Sequence, residues 1–163
     1  MDIRLVRIDD RLIHGQVATV WTKSTNINRI LVVSDDVAQD ALRKALLVQA
    51  APPGVKVNVI TVEKMLNIFP DSRFAEVKAM LLFTNPQDVQ RAVVGGVQFT
   101  SVNIGGMSFT SGKRMITNAV AVDEQDITAF KYLHAQGIHL EIRKVVADSQ
   151  INLMDLLKKE QLA

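Results

Sequence analysis

Between Asp9 and Gly15 the chain places two carboxylates, a guanidinium, an imidazole and a glycine within seven residues, Asp9-Asp10-Arg11-Leu12-Ile13-His14-Gly15. No other stretch concentrates reactive groups so densely. An imidazole is largely neutral near pH 7 and therefore nucleophilic. The apolar-periodic segment Val17 to Trp21 follows and can start a helix. A helix start offers His14 free backbone N–H groups and about half a positive charge, the surroundings that stabilise a transferred phosphoryl group. Arg11 adds a cationic fork, whose charge-assisted contacts are worth about 1.5–3 kcal/mol each. Gly15 removes a side chain that would block close approach to the backbone, and Gln16 completes the loop.

An ordinary capped turn uses the same residue types, with Asp9 or Asp10 accepting from helix N–H groups. Residue types alone leave His14 between a polar loop residue and a reactive one. His134 lies beside Leu133 on a helical segment, and His139 occupies the polar phase of Ile138-His139-Leu140-Glu141-Ile142-Arg143; both read as solvent-facing.

Other chemistries find less support. Gly105-Gly106 is half of a dinucleotide fingerprint, but Gly-x-Gly-x-x-Gly is missing and so is a phosphate loop ending in Gly-Lys-Ser/Thr. These glycines suit a tight strand-to-loop turn as well as a ligand contact. Asp9-Asp10 resembles the acidic pair of response-regulator receivers, yet the third strand ends Val59-Ile60-Thr61-Val62 without the Asp that would accept phosphate. There is no His-x-x-x-His pair, no Cys and no Gly-x-Ser-x-Gly elbow, so no metal site and no serine nucleophile are read here. Met65, Met80, Met107, Met115 and Met154 are dispersed and read as packing.

The 163 residues suit one domain, 48% of them apolar and 22% charged, as in a folded globular protein. A formal net charge of +2 without a basic stripe, and a single Trp and Tyr, argue against nucleic-acid binding. The start Met1-Asp2-Ile3-Arg4-Leu5-Val6-Arg7 is no secretion signal, and no apolar run of membrane-spanning length occurs. The absence of Cys fits a reducing compartment.

These groups must be positioned by alternating strands and helices. Short aliphatic runs at Ile3 to Ile8, Arg29 to Val33, Val55 to Ile60, Ala79 to Phe83, Ser101 to Ile104 and Ile138 to Arg143 read as buried parallel strands. Between them Asp35-Asp36 opens an apolar stripe, Val37, Ala38, Ala41, Leu42, Ala45 and Leu46, read as one helix ended by Pro52-Pro53-Gly54. Thr61, Asn85-Pro86 and Asp123 cap further helices, and a last helix spans about Asn152 to Lys159. Ser108 to Val120 fits neither period, although Gly112-Lys113-Arg114 suits a turn into an antiparallel piece. The fold class is α/β: a single-domain open, mostly parallel β-sheet with helices on both faces and room for one antiparallel edge strand. In such sheets ligands bind beyond the carboxyl ends of the strands. That rule groups the Asp9 to Gln16 loop with Thr84-Asn85-Pro86 and Gly105-Gly106-Met107 around one cleft, and makes Gly15, Gln16, Thr84, Gly105 and Gly106 candidates for phosphate contact.

The segment Arg7-Ile8-Asp9-Asp10-Arg11-Leu12-Ile13-His14-Gly15-Gln16-Val17 resembles the IIB component of the mannose/fructose/sorbose family of the bacterial phosphoenolpyruvate:sugar phosphotransferase system. The likeness continues through Val32-Val33-Ser34-Asp35-Asp36, Ala51-Pro52-Pro53-Gly54-Val55, Leu81-Leu82-Phe83-Thr84-Asn85-Pro86 and Val102-Asn103-Ile104-Gly105-Gly106-Met107, and so covers residues 1–163 as one IIB domain. It implies a phosphohistidine:sugar phosphotransferase without a cofactor. His14 would receive phosphate on Nδ1 from a IIA subunit or domain and deliver it to a hexose of mannose, fructose, sorbose or amino-sugar type bound by the membrane subunits IIC and IID. Arg11 would stabilise the phosphate. The location implied is cytoplasmic, at the inner face of the membrane through those partners. Because Met1 leads directly into the IIB pattern, a separate subunit or an excised domain is expected. Asp10 is our candidate for orienting the His14 ring, and Leu12 and Ile13 for meeting IIA.

Two rivals remain at this point. A histidine-phosphatase-like hydrolase or mutase also uses a His-Gly pair after a first strand, but Ile13 stands where its Arg would precede the His. A regulatory module that captures an anion without chemistry is the other.

Overall fold

The computed structural model describes residues 1–15 and 17–163, with Val17 in its backbone only. Its strands are β1 (Asp2–Asp9), β2 (Arg29–Val33), β3 (Lys56–Ile60), β4 (Lys78–Phe83), β5 (Ser101–Gly106), β6 (Arg114–Met115), β7 (Ala121–Val122), β8 (His139–Ile142) and β9 (Ile151–Asn152). The helices are α1 (Thr22–Thr25), preceded by a π-helical turn at Val17–Trp21, then α2 (Asp35–Gln39), α3 (Ala41–Gln49), α4 (Val62–Ile68), α5 (Pro86–Val94), α6 (Glu124–Ala135) and α7 (Leu153–Lys159).

Seven strands form one sheet in the order β3-β2-β4-β1-β5-β8-β9, parallel except for the edge strand β9, which pairs antiparallel with β8. The expected α/β sheet with an antiparallel edge is therefore present. Connections from β1 through β2 to β3 step to one side of the sheet, and those from β4 through β5 to β8 step to the other. β1 sits where the direction changes, the position at which loops part and leave a crevice.

Both faces are covered. Along β4, Ala79, Leu81 and Phe83 enter one apolar cluster and Met80 and Leu82 the other. Burial on both sides is why this strand reads as an unbroken apolar run. α4, α5, α6 and α7 cover the first face with residues such as Met65, Val89, Phe130 and Leu157; Trp21, Val37 and Leu47 cover the second. Side-chain caps start the helices: Thr61, Asn85 and Asn152 each accept from a backbone N–H three residues on, and Asp123 and Asp126 form a reciprocal capping box.

The sequence reading departs from the structure in two places. The single helix expected after Asp35 is two, because Asp40 takes an extended backbone and its carboxylate accepts from Arg43 N at 3.1 Å, starting α3 anew. An Asp stabilises a helix start better than a helix interior. The break turns Leu42 and Leu46 outward, 71% and 58% exposed, and leaves Leu47 as the buried residue of α3. The unassigned stretch after Ser108 is the short antiparallel pair β6 and β7, hung on the end of β5 where Ala121 N donates to Met107 O at 2.8 Å. Among the described residues no helix is long and apolar enough to cross a membrane.

Asn85 Oδ1 accepts from Asp88 N at 2.8 Å and holds the start of α5 beside the β4 carboxyl end. Asn85→Ala should lower stability by about 1 kcal/mol, read as a lower urea midpoint with an unchanged slope.

Candidate active site

β1 ends in four fully buried residues, Val6, Arg7, Ile8 and Asp9, two of them charged. Charges in a central strand are costly unless each is paired and hydrogen-bonded. Arg7 meets that demand with both terminal nitrogens of its fork, while its buried Nε has no partner among the described residues. Nη2 donates to Asp9 Oδ2 at 3.0 Å and to the Lys144 carbonyl at 2.9 Å; Nη1 donates to Asn103 Oδ1 and to the Arg143 carbonyl at 3.2 Å. Its guanidinium also lies over the Trp21 ring, 4.9 Å from the centroid, and that of Arg143 lies 5.1 Å from the same ring. Burial pushes the Arg7 pKa down and the Asp9 charge pulls it partly back, from a starting value high enough that the group stays charged. Arg7, Asn103 and Glu141 are register partners across β1, β5 and β8, a polar row through the sheet. A Cβ at Gly105 would overlap the Arg7 guanidinium, so that glycine makes room for the fork.

Asp9 turns this anchor toward the loop. Its Oδ1 accepts from Arg11 N and Nε, both at 3.1 Å, and its Oδ2 accepts from Arg7 Nη2, Arg11 Nη2 at 3.1 Å and His14 Nε2 at 3.1 Å. Burial pushes this carboxyl up, but the hydrogen bonds from Arg11 and His14 and the Arg7 charge outweigh it and hold the group below its ordinary value. An ionised carboxylate only accepts hydrogen bonds, so the shared proton belongs to His14 Nε2. The neutral ring then carries its lone pair on Nδ1, which has no hydrogen-bond partner among the described residues. The His14 side chain is 33% exposed.

Two left-handed residues bend this loop, Leu12 between Arg11 and His14 and Gly15 directly after His14. Leu12 has φ 61° and drives its side chain into the core, and Leu12 N donates to Asp9 O at 2.9 Å. Burial of a leucine, worth about 1.5–3 kcal/mol, offsets the ~1–2 kcal/mol of its backbone conformation. Gly15 has φ 39°, and nothing lies within 4 Å of where its Cβ would stand. A glycine suits this left-handed bend, and the space beside it is open.

Several expected contacts fall elsewhere. Asp10 does not orient the ring: its carboxylate accepts from Ser108 N at 2.6 Å and Ser108 Oγ at 3.0 Å, tying the β5 exit to the loop, and Asp9 takes the place at His14. Side chains at successive strand positions point to opposite sides, so only one of the pair can follow Arg7. Gly106 borders the Arg11 head group, with a Cβ position 3.0 Å from Nη2. Both glycines lie within β5 and make room for guanidinium groups. Thr84 Oγ1 accepts from Asn85 Nδ2 at 3.1 Å, and no hydrogen bond joins it to the loop among the described residues. Gln16 lies outside the described residues. His134 and His139 are exposed, as read.

The family model described as PTS system sorbose subfamily IIB component matches residues 3–163. The chain belongs to this family. It is 59% identical over 159 residues to the PTS system mannose-specific EIIAB component of Escherichia coli (strain K12), covering 98% of the chain and 49% of that protein. It therefore spans about half the length of this relative. It is 47% identical to the PTS system sorbose-specific EIIB component of Klebsiella pneumoniae, covering 98% of the chain and 97% of that protein. The crystal structure of the IIBSor domain of the Klebsiella pneumoniae sorbose permease superposes with a TM-score of 0.95 at 47% identity, covering 98% of each chain.

Within this IIB fold, sequence reasoning passed over Arg7, Asn103, Trp21 and Arg143, which support the loop from below. The signal was present: Arg7, Asn103 and Glu141 are polar residues inside three runs otherwise apolar enough to be central strands. The alternation that sends His139 to solvent would send Glu141 there too, yet Glu141 is buried against Asn103.

Asp9→Asn leaves the Arg7 charge buried without its counter-charge and should cost about 3–5 kcal/mol in urea unfolding at pH 7. The sign with pH follows from the depressed carboxyl. Its stabilisation is present above the ordinary carboxyl pKa of about 4 and is lost as pH falls toward the lower folded value. Unfolding midpoints measured from pH 7 downward should fall less steeply in Asp9→Asn than in the parent.

Proposed function

We propose that residues 1–163 act as one phosphoryl-transfer domain. His14 takes a phosphoryl group from a phosphohistidine of a IIA subunit or domain and passes it to a hexose held by the membrane subunits IIC and IID. The hydrogen bond from His14 Nε2 to Asp9 Oδ2, 3.1 Å, carries this reading. It fixes the tautomer whose nucleophilic nitrogen is Nδ1 and supplies an anion to balance the ring once it is phosphorylated.

In the loading step His14 Nδ1 attacks phosphorus, the donor's P–N bond breaks and its electron pair returns to the donor ring. The new phosphohistidine carries positive charge on the imidazole, shared through Nε2–H with Asp9. In the unloading step a sugar hydroxyl oxygen attacks phosphorus, its proton passes to water, the P–N bond breaks, and the His14 ring departs neutral with Nε2–H retained. The transition states are loose, so alignment and charge stabilisation are the protein's contribution. Arg11 is placed for that. Its Nε and Nη2 are held by Asp9, its side chain is 41% exposed, and Nη1 has no partner among the described residues, leaving a donor for phosphoryl oxygens beside the ring.

The relatives' names support the sugar class: mannose, sorbose and, for a Bacillus subtilis (strain 168) component 46% identical to this chain, fructose are the sugars for which those proteins are named specific. The EIIAB name of the mannose-specific relative supports a IIA partner, in the same polypeptide or a separate one. Work at the cytoplasmic face of the membrane follows from handing phosphate to a sugar inside membrane partners.

The test is intact-protein mass after incubation with phosphoenolpyruvate, the general phosphotransfer proteins and IIA. One acid-labile phosphoryl adduct is expected, absent from His14→Gln, whose circular dichroism should match the parent. An adduct that persists in His14→Gln would refute the assignment.

A further inference from the structure

A cleft of about 280 Å³ opens beside the loop, bounded by Asp10, Arg11, Ser108, Phe109, Met115 and Lys144. The apolar residues expected from sequence to meet a partner do not reach it. Leu12 is 1% exposed and Ile13 packs against the second apolar cluster. Two others are presented instead: Phe109 is 60% exposed and Met115, read from sequence as packing, is 43% exposed. Isolated exposed apolar side chains are ordinary on any surface. These two line one cleft together with the arginine that flanks His14.

The surface is also fixed in place and charged. The Asp10 bonds to Ser108 hold the residue before Phe109 to the loop, and the Arg7 bond to the Lys144 carbonyl fixes the opposite wall. Asp10 is occupied by Ser108, while Lys113 is paired with Asp126 and Arg114 with Glu160. Of the cleft's own cations, Arg11 is held by Asp9 through Nε and Nη2, and Lys144 has no carboxylate partner among the described residues. Such a rim suits a surface that carries a phosphoryl group.

A phosphohistidine donor must bring its ring in line with His14. Even a small transient interface takes about 500 Å² from each partner, a disc of about 12 Å radius. Centred on His14, whose Nε2 shares Asp9 Oδ2 with Arg11 Nη2, that disc extends over the walls lined by Arg11. Aromatic and Met side chains are the ones enriched at the centres of such contacts. We infer that Phe109 and Met115 form the apolar seat, and Lys144 the flanking charge, on which the phosphohistidine-bearing donor domain docks. The inference rests on the proposed role of His14.

Initial rates of His14 phosphorylation separate docking from chemistry when two donors are compared: phosphorylated IIA, which must dock, and phosphoramidate, which is too small to need a seat. Phe109→Ala and Met115→Ala should each raise the KM for phosphorylated IIA, Phe109→Ala by about tenfold, with kcat unchanged. Rates with phosphoramidate should stay within about twofold of the parent, and far-UV circular dichroism should not change. An unchanged KM for IIA would overturn the inference. Equal slowing with both donors would overturn it too, by showing that these residues shape the reacting loop. Normal loading with slowed delivery to sugar would assign the seat to the acceptor side and likewise overturn it. Failure of the parent protein with both donors would instead defeat the reading of His14 itself.

Discussion

A fully buried ion pair, Arg7 with Asp9, is the constraint on which the site depends. Taking two charges out of water costs several kcal/mol per ion, which is offset here by charge-assisted hydrogen bonds to nearly every polar atom of both groups. The pair reaches in three directions. Through Asp9 it fixes Arg11 and His14; through the Trp21 ring it holds the turn that follows the loop; through two carbonyls it grips the chain after β8. One guanidinium thus secures the residue where the loop begins and the turn that follows it.

That arrangement turns a mobile kind of group into an oriented one. An exposed imidazole exchanges its proton between two nitrogens and turns about its side-chain bonds. Bound to an acceptor-only carboxylate, His14 keeps its proton on Nε2 and leaves Nδ1 without a hydrogen-bond partner among the described residues. The depressed pKa of Asp9 and the choice of tautomer have one cause, the surplus of donors converging on two oxygens. The left-handed Leu12, between Arg11 and His14, reverses the chain so that both side chains reach that carboxylate.

Much of this was legible in the sequence. Strands buried on both faces announce themselves as aliphatic runs, and β4, expected at Ala79 to Phe83, is found at Lys78–Phe83. The caps at Thr61, Asn85 and Asp123 were readable because a side-chain oxygen must stand where the helix leaves N–H groups unpaired. The Asp9 to Gln16 loop stood out by composition. Which of two adjacent acids faces the ring was not, because it depends on side-chain phase at the very end of β1 and on an arginine in the middle of an apolar strand. The space that Gly105 and Gly106 keep for the guanidinium groups of Arg7 and Arg11 was not legible for a related reason, since a sequence does not say which groups share that space. Asp40 broke a helix that the apolar spacing carried straight through, since the same spacing serves one long helix or two short ones.

The most direct measurement is nitrogen and phosphorus NMR of the full chain labelled at histidine, before and after phosphoryl loading, with the His14 signals assigned by their loss in His14→Gln. The proposed role of His14 predicts an Nε2–H tautomer in the unloaded protein and, after loading, phosphorus bonded to Nδ1 with the Nε2 proton retained in a hydrogen bond. Phosphorus on Nε2, or an Nδ1–H tautomer in the unloaded protein, would contradict it.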